Sequence, residues 1–272
     1  MTPLQNRPSS PAASAAHPSL DARDIVLCGL ALALALALWW RGPIGQWASY
    51  HAFADQREAW GIPHAADVLS NLPFAVAGLW ALWAGRAAPR IGARLPWRGF
   101  ALALVATSAG SSAYHWAPHN ASLAFDRLPI AWACAALLCA FLAERRDARW
   151  AHPAVLATAL ALASASVALW WGSELAGRSD LRTYLFVQFL PMLLVPAALL
   201  MRLPRQGRSI VPDTAWWGLL AGYVVAKGFE LADHAVLDAL GGWVSGHTLK
   251  HLAAAAAAAW ILRAAQRAGQ LR

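Results

Sequence analysis

The chain has 272 residues, 59% of them hydrophobic and only 13% charged. Soluble domains carry about 25% charged residues, so this composition excludes an ordinary soluble globular protein and points to an integral membrane protein. The net charge of +8 does not indicate a nucleic-acid partner, because the arginines are spread between apolar tracts and no basic face is interleaved with exposed aromatics.

Residues 1–23 are rich in Pro, Ser and Ala, a composition that predicts a disordered tail. A membrane span needs about 20 largely apolar residues. Eight tracts answer to that: 25–40, 66–85, 98–117, 124–143, 152–172, 181–201, 214–237 and 243–265. The first, IVLCGLALALALALWW, has the size of a signal-peptide core, but it ends in a Trp pair followed by Arg, an interfacial anchor pattern. It is read as a retained helix over 24–41. Residues 42–65 form a polar external loop whose His51, Asp55, Glu58 and His64 suit either a cap on the bundle or a lid or cation site. Residues 66–266 hold the remaining spans. The expected fold is therefore all-α, a polytopic transmembrane bundle with a seven-helix core plus one additional N-terminal helix. Seven consecutive alanines at 253–259 favour helix and permit close helix packing. Cys28, Cys134 and Cys139 all lie in spans, match no zinc or disulfide spacing, and read as small apolar residues.

Basic residues collect in cytoplasmic loops. Thirteen arginines fall in alternate connections and the tail: 86, 90, 94 and 98; 145, 146 and 149; 202, 205 and 208; 263, 267 and 272. The opposite loops are poor in charge. Both termini are then cytoplasmic. Odd spans run outward, which brings the end of the third span and the starts of the fourth and eighth to one external depth.

That depth holds a constellation of polar residues. Ser111 and His115 are four apart in SSAYHW, and His247 and His251 are four apart in SGHTLKH. Residues so spaced share a helix face. Ionisable groups in a span cost roughly 2.5–3.5 kcal/mol each on insertion scales and mark function. Catalytic zinc takes three protein ligands and keeps a fourth position for water. His115, His247 and His251 supply three imidazoles. Asp126 would hold or deprotonate the water, and Ser111 would donate to a developing oxyanion. The bland alternative is histidines bonded within the bundle or to lipid headgroups. Lys227 and Glu230 are three apart and suit an ion pair. Glu230 with His234 also has metal-ligand spacing, although second-shell support suits the pair better. Lys250 is expected to face away from the histidine pair and snorkel to the headgroups. His119, in a short loop, is expected to be solvated.

The stretches ADVLSNLPFAVAGLW, SSAYH, FDRLP and SGHTLKH together resemble the alkaline ceramidase family, seven-helix zinc amidases of the superfamily that includes the adiponectin receptors. The likeness covers about residues 50–265, and the 25–40 helix looks like a bacterial-type extension. It implies that Ser111, His115, Asp126, His247 and His251 match the family's active-site pattern, with the histidines on zinc. It also implies a membrane lipid, ceramide or another N-acyl lipid, as the substrate partner, and a bacterial inner membrane as the location. Eukaryotic members carry a calcium site before their first helix. Here Asp55, Glu58 and Asp67 are the carboxylates at that place, while Trp60 and His64 fall where further oxygens would be wanted. Calcium prefers six to eight oxygens, so at most a weak site is expected. The alternative function is a zinc-containing lipid-binding or receptor-like protein without turnover. A transporter ranks last, because the ionisable groups cluster at one end.

Overall fold

The computed structural model describes residues 21–86, 94–204 and 210–269. Residues 1–20 of the expected tail, and Arg90, Arg205, Arg208 and Arg272 among the topology arginines, lie outside the described residues. Among those described the protein is all helical, with one isolated antiparallel bridge between Ala59 and Ile62 and no strand.

The elements in order are α1 (Ala22–Arg41), α2 (Ala65–Leu69), α3 (Leu72–Ala84), α4 (Arg94–Trp116), α5 (Asn120–Arg145), α6 (Pro153–Leu175), α7 (Arg182–Leu200), α8 (Asp213–Leu231), α9 (Asp233–Ala239) and α10 (Gly246–Arg267). Every expected tract falls on helix. Two are interrupted. The 66–85 tract breaks between α2 and α3, where Pro73 cannot donate to the Leu69 carbonyl. The 214–237 tract breaks at Ala232, and α9 continues as a separate short helix. The helix α1 begins one residue before the end of the expected tail, because Asp21 and Asp24 form a reciprocal capping box.

Among the described residues, five segments are long and apolar enough to cross a membrane: Ala22–Arg41, Ala65–Ala84, Asn120–Arg145, Pro153–Leu175 and Arg182–Leu200. The long helices outside that group are α4, α8 and α10. They carry Ser111 and His115, Lys227 and Glu230, and His247, Lys250 and His251, respectively. These three helices thus carry most of the site, while Asp126 comes from α5 within the apolar group.

Helix α4 packs between α3 and α5, α10 lies along α8 and α3, and α1 leans on α7. Small residues allow the α8–α10 approach. A Cβ on Gly222 would sit 2.5 Å from the Cβ of Ala257, within the alanine run. At the arginine-rich end the core is aromatic, with Trp216 5.7 Å from Trp97 and 4.9 Å from Phe141 between ring centroids.

The same end carries a buried polar network. Glu144 accepts from Trp97 Nε1 at 2.9 Å and from the Val211 amide at 3.1 Å. Arg145, 2% exposed, donates to the Val211 carbonyl at 3.0 Å and to Asp213 at 2.6 Å. Arg146 pairs with Asp24 at 2.6 Å, tying α1 to α5. Two arginines that read from sequence as topology markers therefore also hold helices together.

Candidate metal centre

Local sequence sets each part of the site at the opposite end of the bundle. Ser245 caps α10 by accepting from the Thr248 amide at 2.9 Å, which places His247 and His251 in the first two turns. A Cβ on Gly246 would lie 2.3 Å from the Phe229 carbonyl oxygen, so glycine lets α10 start against α8. Asp233 then fastens that start. One carboxylate oxygen accepts from the His247 amide at 2.8 Å, and the other accepts from the Ala54 amide at 2.9 Å. Gly110 does the same work between α4 and α5. A Cβ there would meet the Phe125 carbonyl at 2.2 Å. Ser111 and Asp126, each one residue further on, are carried on this close approach, and both line the same cavity.

His115, His247 and His251 converge as expected. They are 1%, 5% and 3% exposed. Their ring centroids form a nearly equilateral triangle with sides of 4.8, 4.9 and 4.8 Å. Their candidate ligand nitrogens lie within 4.8 Å of one another. Three nitrogens around a tetrahedral zinc, each at about 2.0–2.1 Å, would be roughly 3.3–3.4 Å apart, so small ring rotations close the site on an ion. His115 Nδ1 is buried without a hydrogen-bond partner, as is Asp126 Oδ1. Such orphans are costly unless something fills them. The donor set and the orphaned nitrogen both fit a divalent cation.

One ligand is oriented from outside the triangle. His251 Nδ1 lies 2.8 Å from Ser70 Oγ, and that hydroxyl donates to the Asp67 carbonyl at 3.0 Å. With its hydrogen on the Asp67 carbonyl, the serine accepts from His251 Nδ1, an arrangement that leaves the Nε2 lone pair for a metal. Asp67 is also anchored, accepting from Thr248 Oγ1 at 2.7 Å and from Ser245 Oγ at 3.3 Å.

The 42–65 stretch covers the triangle. Phe53 stands 4.5 Å from His115 and 4.6 Å from His247 between centroids, and is itself buried. His51 bonds Tyr114 Oη and Asn120 Oδ1, both at 2.8 Å, holding the loop down. The other side of the site is open to a cavity of about 390 Å³, reached by Ser111, Asp126 and His251. Its far walls are apolar, including Leu104, Leu137 and Met192.

No protein-family model matches the chain, and no curated protein matches its sequence. The arrangement of side chains therefore carries the functional argument.

The expectation for Lys250 needs correction, and the structure adds detail at the calcium position and at His119. The carboxylates at the calcium position do not converge. Asp55 is bound by Arg57 at 2.6 Å, Glu58 is exposed, and Asp67 is turned inward to Thr248. The Arg57 guanidinium holds the Asp55 carboxyl below its ordinary range. Among the described residues, only the histidine triangle gathers three donors close enough for a shared ion. Lys250 does not face away from the histidines. Its Nζ lies 3.1 Å from His247 Nε2 and 3.0 Å from Glu230 Oε1. Spacing of three along a helix puts 247 and 250 side by side, which was the available signal. His119, although exposed, caps α5 by accepting from the Ser122 amide at 3.0 Å. Lys227 does pair with Glu230, which therefore serves two lysines rather than a metal with His234. Phe53 and Ser70 escaped sequence reasoning, because neither has a periodic partner in its own segment.

Proposed function

We propose that this chain is a zinc-dependent integral membrane hydrolase that cleaves the amide bond of ceramide or a related N-acyl lipid. We also propose that it belongs with the alkaline ceramidases it resembles. The observation that carries this reading is the placement of Ser111 and Asp126 beside three buried imidazoles at the polar end of an apolar cavity. The proposed setting is a bacterial inner membrane, with seven core spans plus α1, both termini cytoplasmic and the site toward the external leaflet.

His115, His247 and His251 would hold the zinc. Such an ion polarises a carbonyl and acidifies water. Ser111 donates its hydroxyl hydrogen to the oxygen of the reacting carbonyl as negative charge builds there. Asp126 takes a proton from the attacking water and returns one to the departing amine nitrogen. Ser70 keeps His251 in the ligating tautomer. Phe53 excludes water from the loop side of the imidazoles, and the apolar cavity receives the acyl chain.

The second reading, a zinc-containing lipid-binding protein without turnover, is favoured by Phe53 and Lys250, which crowd His115 and His247 as in a closed structural site. Metal analysis of detergent-purified protein, followed by incubation with several N-acyl lipids, separates the two. About one zinc per chain with release of fatty acid supports the hydrolase. One zinc with no release from any N-acyl lipid transfers the assignment to the binding protein. For orientation, a carboxyl-terminal fusion reporter is expected to be active only in its cytoplasmic form.

A further inference from the structure

The residue after Asp126 is a buried cation with an empty donor. Arg127 is 5% exposed and lines the same cavity. Its Nη2 donates to Gln46 Oε1 at 2.5 Å, while its Nη1 is buried with no hydrogen-bond partner. No carboxylate among the described residues forms an ion pair with it. Its guanidinium is instead framed by rings, 4.1 Å from the Trp170 centroid, 5.0 Å from Tyr184 and 5.6 Å from Tyr50. Aromatic faces soften the burial of a guanidinium but do not take up its N–H groups.

Other features of the cavity agree in sign. Its charged lining consists of Arg127, Lys227 and Lys250 against Asp126 and Glu230. Glu230 is already shared by both lysines. The excess charge is positive, and the unfilled donor belongs to Arg127. Residues Ile44, Gly45 and Gln46 of the external stretch line the cavity too, so Arg127 lies where the head of a lipid entering from that side would come to rest.

We propose that Arg127 is the anchor for an anionic group, a carboxylate or phosphate, carried by the lipid amide near its scissile bond. Guanidinium is suited to planar, paired contacts with such anions. The preferred substrates are then acidic N-acyl lipids rather than neutral ones. The proposal rests on reading the cavity as a lipid-amide site, but its test does not require hydrolysis.

The probes are N-dodecanoylglycine, neutral N-dodecanoylethanolamine and inorganic phosphate. Binding of each to the purified full chain is measured by equilibrium dialysis in a non-ionic detergent, using Ser111→Ala protein to slow turnover and quantifying intact amphiphile at the end. The expected result is about 10–100-fold tighter binding of the acidic amphiphile than of the neutral one, the range for a charge-assisted contact in a buried site. In the Arg127→Gln background that ratio should collapse toward one, and Arg127→Lys should restore part of it. Equal binding of the two amphiphiles to the Arg127-containing protein overturns the proposal, whether or not the variants fold. Phosphate that binds as tightly as the amphiphile, and depends on Arg127, assigns the donor to a free anion and overturns the lipid assignment. Absence of hydrolysis in the wild type, with the Arg127-dependent preference intact, sinks the hydrolase and leaves the anion anchor standing.

Discussion

The two ends of the bundle treat buried charge in opposite ways. At the arginine-rich end Glu144, Arg145 and Arg146 each meet partners supplied by another helix or loop, and Asp24 and Asp213 complete the pairs. At the histidine end His115 Nδ1, Asp126 Oδ1 and Arg127 Nη1 are all buried and unsatisfied. Both ends carry the desolvation cost of polar groups in an apolar bundle. One end recovers most of that cost through ion pairs within the protein, and the buried atoms left without a partner there, among the described residues, are Arg145 Nε and Trp216 Nε1. The other gathers its unpartnered groups around three imidazoles and a cavity. Charges paired across helices speak for architecture, and unpartnered groups gathered at one cavity are the place to look for a ligand.

The sharpest way to break this contrast is at the triangle. Replacing His115, His247 or His251 by Ala is expected to abolish hydrolysis and to lower zinc from about one per chain, measured by elemental analysis on monodisperse protein. If all three single variants keep full zinc, the metal is elsewhere and the comparison collapses.

The next largest effect belongs to Ser111 and Asp126. Ser111→Ala should retain zinc and lose about 10²–10³ in turnover, the range for one oxyanion donor. Asp126→Asn should also retain zinc and lose activity through its missing proton acceptor. Turnover of Ser111→Ala at the wild-type rate removes the serine from the mechanism. Loss of zinc from Asp126→Asn makes the aspartate a ligand or an essential orienter of one.

A smaller effect sharpens the role of Ser70. Ser70→Ala removes the acceptor of His251 Nδ1 and should weaken zinc affinity by roughly 10–100-fold, read by competition with a chelator. Ser70→Thr, which keeps the hydroxyl, should recover most of it. An unchanged affinity in Ser70→Ala would show that packing alone orients the ring.

The smallest effect on the site is expected from the other end. Asp213→Asn weakens the partner of buried Arg145 and should cost about 1–3 kcal/mol of stability, seen as a lower melting temperature. Zinc content and turnover per folded chain should not change. A parallel loss of zinc would show that the two ends are coupled through α8 and α10 rather than independent.

How much of this was legible in the sequence depended on distance along the chain. Apolar runs near 20 residues located the helices, because a bilayer-length span must satisfy its backbone within itself. The spacing of four in SSAYH and SGHTLKH put each pair on one face. Arginine placement led to one depth for His115, Asp126, His247 and His251, and the structure brings the three histidines into one cluster. Within a helix, geometry is periodic and a sequence can be read directly.

Partners from distant segments were a different matter. Ser70 meets His251 across 181 positions, and Asp233 joins Ala54 to His247. Lys250 turns toward Glu230 because α8 lies beside α10, which its own helix cannot reveal. The carboxylates at the calcium position show the same dependence on distant partners. Carboxylates at a plausible spacing were drawn to Arg57 and Thr248 instead of to one another. By itself the sequence determined the all-helical bundle, its apolar character and the residues of the histidine triangle, because periodicity and burial cost act locally. Only the tertiary structure decided which histidine nitrogen is oriented, what closes over the imidazoles and which buried charge is left open. Those depend on side chains from separate helices meeting at hydrogen-bond distance.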